Sequence, residues 1–142
     1  MNKKVLLGGV AVFITLEVLD FLIHGVLLAS TYTSLASLWR SDMQSKMWIM
    51  WIVTFIGSFL FAFIFSKGYE NKGLAEGLRY GFYIGVWMSI GFAYGTYAMI
   101  AIPYSLALQW FIYGVIEYMI AGVVLALVFG MKGKQAAKAE SA

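Results

Sequence analysis

The sequence predicts an all-α integral membrane protein, a four-helix bundle in which every helix crosses the bilayer. Two observations carry that expectation. Of the 142 residues, 62% are hydrophobic and only 12% charged, with a mean hydropathy of +0.83, whereas a soluble domain is about half apolar and a quarter charged. The apolar residues also gather into four runs, at 5–29, 47–65, 78–102 and 106–129, each near the roughly 20 residues that a helix needs to cross about 30 Å of hydrocarbon. These runs and their short connections make one membrane domain over 1–132, followed by a small polar tail over 133–142 that is expected to fray.

The first run follows Lys3 and Lys4 and contains Glu17, Asp20 and His24. A signal peptide would show the same basic start, but its apolar core is shorter and carries no acids, so the run is expected to be a retained span. A polar loop around 30–46 leads to the second run, and a charged turn, Lys67-Gly68-Tyr69-Glu70-Asn71-Lys72-Gly73, leads to the third. Pro103 marks the tight turn into the fourth.

Lysine and arginine set the orientation of short-looped membrane proteins. Lys3, Lys4, Lys67, Lys72, Arg79, Lys132, Lys134 and Lys138 fall on one side and only Arg40 and Lys46 on the other, so both termini are expected in the cytoplasm, as a multi-pass protein of the cell (inner) membrane. Trp39, Trp48, Trp51, Tyr104 and Trp110 would then lie at the outer interface. The net charge of +3 is spread along loops and tail, which gives no case for nucleic-acid binding. The absence of cysteine excludes disulfides and thiolate chemistry.

Small residues predict how the helices meet. On an ideal helix Gly77, Gly81, Gly85, Gly91 and Gly95 project within an arc of about 120°. In lipid, such a groove lets two backbones approach closely. Gly122, Ala126 and Gly130 in the fourth run and Ser58, Ala62 and Ser66 in the second recur at four-residue spacing. These faces are expected to hold the bundle together, or to bind further copies or the subunits of a larger membrane complex.

Glu17, Asp20 and His24 fall within roughly 60° of one another on a helix. A charge at mid-bilayer costs roughly 2.5 to 3.5 kcal/mol even on a lenient scale, so such residues mark functional sites. With a rise of about 1.5 Å per residue, Glu17 and Glu117 both lie about 18 Å from the cytoplasmic ends of their spans, and Asp20 and His24 step outward from that level. Residues 18–29 also align without gaps to residues 115–126, pairing Asp20 with Glu117, as an inverted repeat would. No Lys or Arg enters a span, apart from Arg79 at a cytoplasmic mouth, to neutralise three carboxylates. Protons shared among them, a cationic His24 or a bound divalent metal would each resolve the conflict.

Two function classes follow. The first is a small transporter or channel subunit that passes a proton or cation along Glu17, Asp20, His24 and Glu117, with the same four as candidate metal ligands. The second is an accessory subunit in which the cluster is a structural hydrogen-bond network. Met43, Met47 and Met50, at helical spacing, would with His24 suit copper(I), though methionine in a membrane more often packs. A single histidine argues against haem. No nucleophile or phosphate-binding motif is present, so an enzyme is not expected.

Overall fold

The computed structural model describes the backbone of residues 2–140 and the side chains of residues 2–130. Helix α1 (Lys3–Asp20) runs on without interruption into a π-helical stretch, Phe21–Leu27. A short helix, α2 (Ala29–Ser34), and a 3₁₀ turn, Ala36–Leu38, lead to α3 (Met43–Gly68), α4 (Leu74–Met99) and α5 (Tyr104–Glu140). No strand occurs among the described residues. Three helices, Lys3–Leu27, Met43–Gly68 and Tyr104–Gly130, are long and apolar enough to cross a membrane. Helix α4 is as long as α3, but its glycine, tyrosine and serine content dilutes its hydropathy.

The boundaries shift from the expected ones for local reasons. Helix α4 starts at Leu74 because Gly73, at φ 76° and ψ −155°, turns the chain in a region that a side chain would resist. It stops at Met99, where Ile100 turns extended ahead of Pro103. Where a frayed tail is expected from residue 133, the backbone of α5 stays helical to Glu140.

Long helices adjacent in the chain run in opposite directions. Helix α1 lies between α3 and α5 and α4 packs along α5. Gly8 lets α1 settle against Ala62, Leu125 and Phe129, where a Cβ would come within 3.2 Å of the Phe129 ring, and Gly9 makes room for Phe59. Phe65, Tyr69 and Phe129 pack together at the end where the Lys4 ammonium donates to the Phe129 carbonyl at 2.8 Å. Tyr80 joins α4 to α3 by donating to the Phe61 carbonyl at 2.7 Å. Leu7, Ile14 and Val18 on α1, Phe21 just after it, and Trp51, Ile56 and Leu60 on α3 point outward, as lipid-facing side chains do.

The α4–α5 contact runs over part of the expected glycine groove and leaves the rest outside it. Cβ atoms on Gly77, Gly81 or Gly122 would run into the facing backbone, and one on Gly85 would come within 3.0 Å of Val115 Cα. The contact continues through Ser89 and Ala93. Gly91, Gly95 and, on α5, Gly130 face open space. Crossing helices meet along an i, i+4 ridge, which drifts about 40° per step around an ideal helix. The contact therefore leaves the angular sector that Gly77 shares with Gly91 and Gly95. Ser58 and Ala62 are buried on α3, and Ser66 is less so.

One acidic residue has a structural role with no motif to announce it. Glu76, 5% exposed, accepts hydrogen bonds from the Glu70 and Lys72 backbone N–H groups at 2.7 Å each and so ties the 69–73 turn to α4. Hydrogen bonds to a charged group are each worth roughly 1.5–3 kcal/mol. Glu76→Ala is expected to lower stability by about 2 kcal/mol and to speed amide exchange at Glu70 and Lys72. Unchanged exchange at both amides would refute this role.

Candidate functional site

One member of the first-run cluster, Asp20, pairs with the buried acid on α5. The Asp20 and Glu117 carboxyl groups are direct neighbours across α1 and α5, with Glu17 close enough to Asp20 to act on it electrostatically. Glu117 is 8% exposed, and among the described residues its buried Oε1 meets no N–H or hydroxyl donor, which leaves the Asp20 carboxyl as its polar neighbour. The alignment of residues 18–29 with 115–126 pairs the same two acids that meet here.

Asp20 ends the regular part of α1, and His24 lies in the π-helical stretch that follows, where the Leu28 N–H donates to the Ile23 carbonyl five residues back. Single π turns inside α-helices are rare and concentrate at functional sites. His24 Nε2 stands 3.7 Å from Asp20 Oδ1, beyond hydrogen-bonding distance but within reach of a small shift or one bridging water. Its Nδ1 lies 2.5 Å from the Tyr32 hydroxyl on α2, and the two rings stack at 5.8 Å.

The expected polar loop at 30–46 is thus an ordered cap over the site. Tyr32 is held at both ends: Trp39 Nε1 donates to its carbonyl at 3.1 Å, and Trp110 Nε1 donates to its hydroxyl at 2.7 Å. Trp110, 8% exposed and packed on Phe92 at 5.0 Å, belongs to the core rather than to an interfacial belt. Arg40 pairs with Asp42. Tyr32 and Trp110 escape sequence reasoning because nothing in their spacing ties them to His24. The only hint was an aromatic pair, Tyr32 and Trp39, inside an otherwise polar loop.

No family model, curated protein or solved structure matches this chain. The reading of the site therefore rests on its chemistry. Among the described residues no three His, Asp or Glu side chains come together in a way that could hold a metal ion. This corrects the metal option for Glu17, Asp20, His24 and Glu117: the acids pair, but the imidazole is engaged by Tyr32. The copper(I) option fares no better, because Met47 and Met50 are exposed on α3 while the Nδ1 of His24 is turned to Tyr32. What the residues form is a column, Trp110–Tyr32–His24–Asp20–Glu117, that runs from a donor-only indole to a buried acid.

Proposed function

We propose that this chain is a small multi-pass protein of the inner membrane that moves protons, as a transporter or channel subunit, along His24, Asp20 and Glu117, with Glu17 as a flanking acid. The observation that carries this reading is the contact between the buried Glu117 carboxyl and that of Asp20, with the His24 imidazole next in line. Two carboxyl groups in direct contact are held by a shared proton, and a shared proton can be handed on. Of the small cations the proton fits best, because it needs one acceptor at a time rather than a converging ligand set. The reading is one of transport and assigns the chain no enzymatic step.

In this proposal α4 crosses the membrane with the other three long helices, and both termini face the cytoplasm. Single cysteines at Ser41 and at Lys72 report it: an impermeant thiol reagent is expected to label Ser41→Cys from outside intact cells and Lys72→Cys only after lysis. The reverse pattern would overturn the topology.

Translocation is tested with purified protein in sealed vesicles that enclose a pH-sensitive dye. The parent is expected to pass protons down an imposed pH gradient, and Glu117→Gln to lower the rate at least tenfold, the lower part of the range for losing a proton-transfer group. Equal rates in parent, variant and empty vesicles would refute the proposal.

One observation favours the accessory-subunit reading. The Asp20 and His24 side chains are 42% and 38% exposed in the single chain. At mid-span, lipid covers such groups only at a cost of kcal/mol order. A second copy or another membrane subunit would cover them, as would a narrow water-filled crevice. Native mass measurement from mild detergent discriminates: a heteromeric complex without proton flux favours the accessory role.

A further inference from the structure

The hydroxyl of Tyr32 has a place that the translocation reading above does not use, and the inference drawn from it rests on that reading. Tyr32 Oη has two nitrogen neighbours, Trp110 Nε1 at 2.7 Å and His24 Nδ1 at 2.5 Å. Indole Nε1 is only ever a donor, so the phenol oxygen accepts from Trp110. The phenol proton then needs an acceptor, and His24 Nδ1 stands in place to be one. That assigns the imidazole hydrogen to Nε2, the nitrogen that faces Asp20 Oδ1 at 3.7 Å. Every hydrogen in the column therefore points the same way, from Trp110 toward Glu117.

We propose that Tyr32 is the proton-transfer residue between His24 and the aqueous side on which α2 lies, and that the Trp110 indole holds its hydroxyl in the transferring orientation. The steps balance as proton movements alone. The Tyr32 O–H bond breaks as an Nδ1–H bond forms on His24, and the phenol oxygen regains a proton from a hydronium on the outer side, leaving water. The imidazolium so formed releases its Nε2 proton to the Asp20 carboxylate, directly after a small shift or through one water, and the proton passes on to the Glu117 carboxylate beside it. His24 is left neutral with its hydrogen on Nδ1, and the starting tautomer returns when Nδ1 gives that proton to water and Nε2 takes one from water, so that no net charge moves. That exchange must break the Tyr32–His24 hydrogen bond, so each proton carried costs one opening of the contact.

The groups that face His24 are few. Asp20 lies one turn before it, and Tyr32 comes from α2. The Trp110 indole reaches the column through the Tyr32 hydroxyl, and Glu117 on α5 reaches it through Asp20. No arginine or lysine is bonded to any of them among the described residues. Phenylalanine at 32 would keep the ring packed on Trp39 and Trp110 at centroid distances of 5.8 and 6.4 Å while deleting the transferring group.

The test separates the two sides of the membrane. Parent, Tyr32→Phe and Glu117→Gln are reconstituted in one orientation, and the carboxyl-stretch infrared signal is followed after an acid jump applied to the α2 side or to the opposite side. In Tyr32→Phe the response to a jump on the α2 side is expected to slow at least tenfold, while the response from the opposite side keeps the parent rate. Tyr32→His, which restores a proton-carrying group, is expected to recover part of the loss. Parent rates from both sides in Tyr32→Phe, with vesicle flux still lost in Glu117→Gln, would overturn the role of Tyr32 and leave the pathway standing. An equal slowing from both sides would assign Tyr32 a packing role and overturn the inference as well. No carboxyl response in the parent from either side would bring down the pathway and this inference together.

Discussion

Gly81→Leu is expected to be the most damaging single substitution in the long helices. A Cβ there would run into the Tyr118 carbonyl oxygen and come within 2.7 Å of Met119 Cα and 2.8 Å of the Tyr118 carbonyl carbon. These are backbone atoms, which a rotamer change cannot move aside. Helices α4 and α5 would have to separate along their whole contact, and overpacking that a backbone must absorb costs about 3 kcal/mol or more. Gly91→Leu adds the same side chain to the same helix but meets nothing within 4 Å, so its effect is expected to stay within about 0.5 kcal/mol. Thermal unfolding in mild detergent reads both. A melting temperature that falls equally in the two variants would mean that the α4–α5 contact runs along a different ridge.

The second large effect concerns Glu117 and separates stability from function. Glu117 sits in the core beside another carboxyl group. Replacing a buried, imperfectly satisfied polar group by an apolar side chain of similar volume is often neutral or stabilising, by about 1 kcal/mol or more. Glu117→Leu is accordingly expected to keep or raise the melting temperature while abolishing proton flux in vesicles. If the acid were glue between α1 and α5, the same change would strip hydrogen bonds from Asp20 and lower stability by roughly 1–3 kcal/mol. A destabilised Glu117→Leu would thus favour the structural role over the transfer role.

Much of this architecture was legible in the chain. Runs of apolar residues broken at Gly73 and Pro103 located the long helices, because lipid and core both select for continuous apolar sequence. The pairing of Glu117 with the first run was legible too, from depth alone, since the rise per residue places Asp20 and Glu117 within a few ångströms in height. Two physical features were not. Helix crossing turns a fixed face into a drifting ridge, which is why Gly77, Gly81 and Gly85 pack while Gly91 and Gly95 do not. The π-helical stretch changes the register at His24 and turns it toward Tyr32, and no residue in Phe21–Leu27 announces that change. Tyr32 and Trp110 join the site only through tertiary packing, 78 residues apart in sequence, so spacing carries no trace of them.

Whether the Asp20–Glu117 pair belongs to a conducting path or to a sealed network is decided most directly by proton exchange at the pair itself. The measurement is the infrared carboxyl stretch of purified protein in lipid, transferred from H₂O to D₂O at constant pH, with Glu117→Gln as the assignment control. A carboxyl band that is absent from Glu117→Gln is expected to shift to its deuterated position within the mixing time, because the pair communicates with water through the His24 column. A Glu117 band that keeps its hydrogen for hours in D₂O while the protein stays folded would contradict the proposal, since a pathway for protons cannot be closed to deuterons.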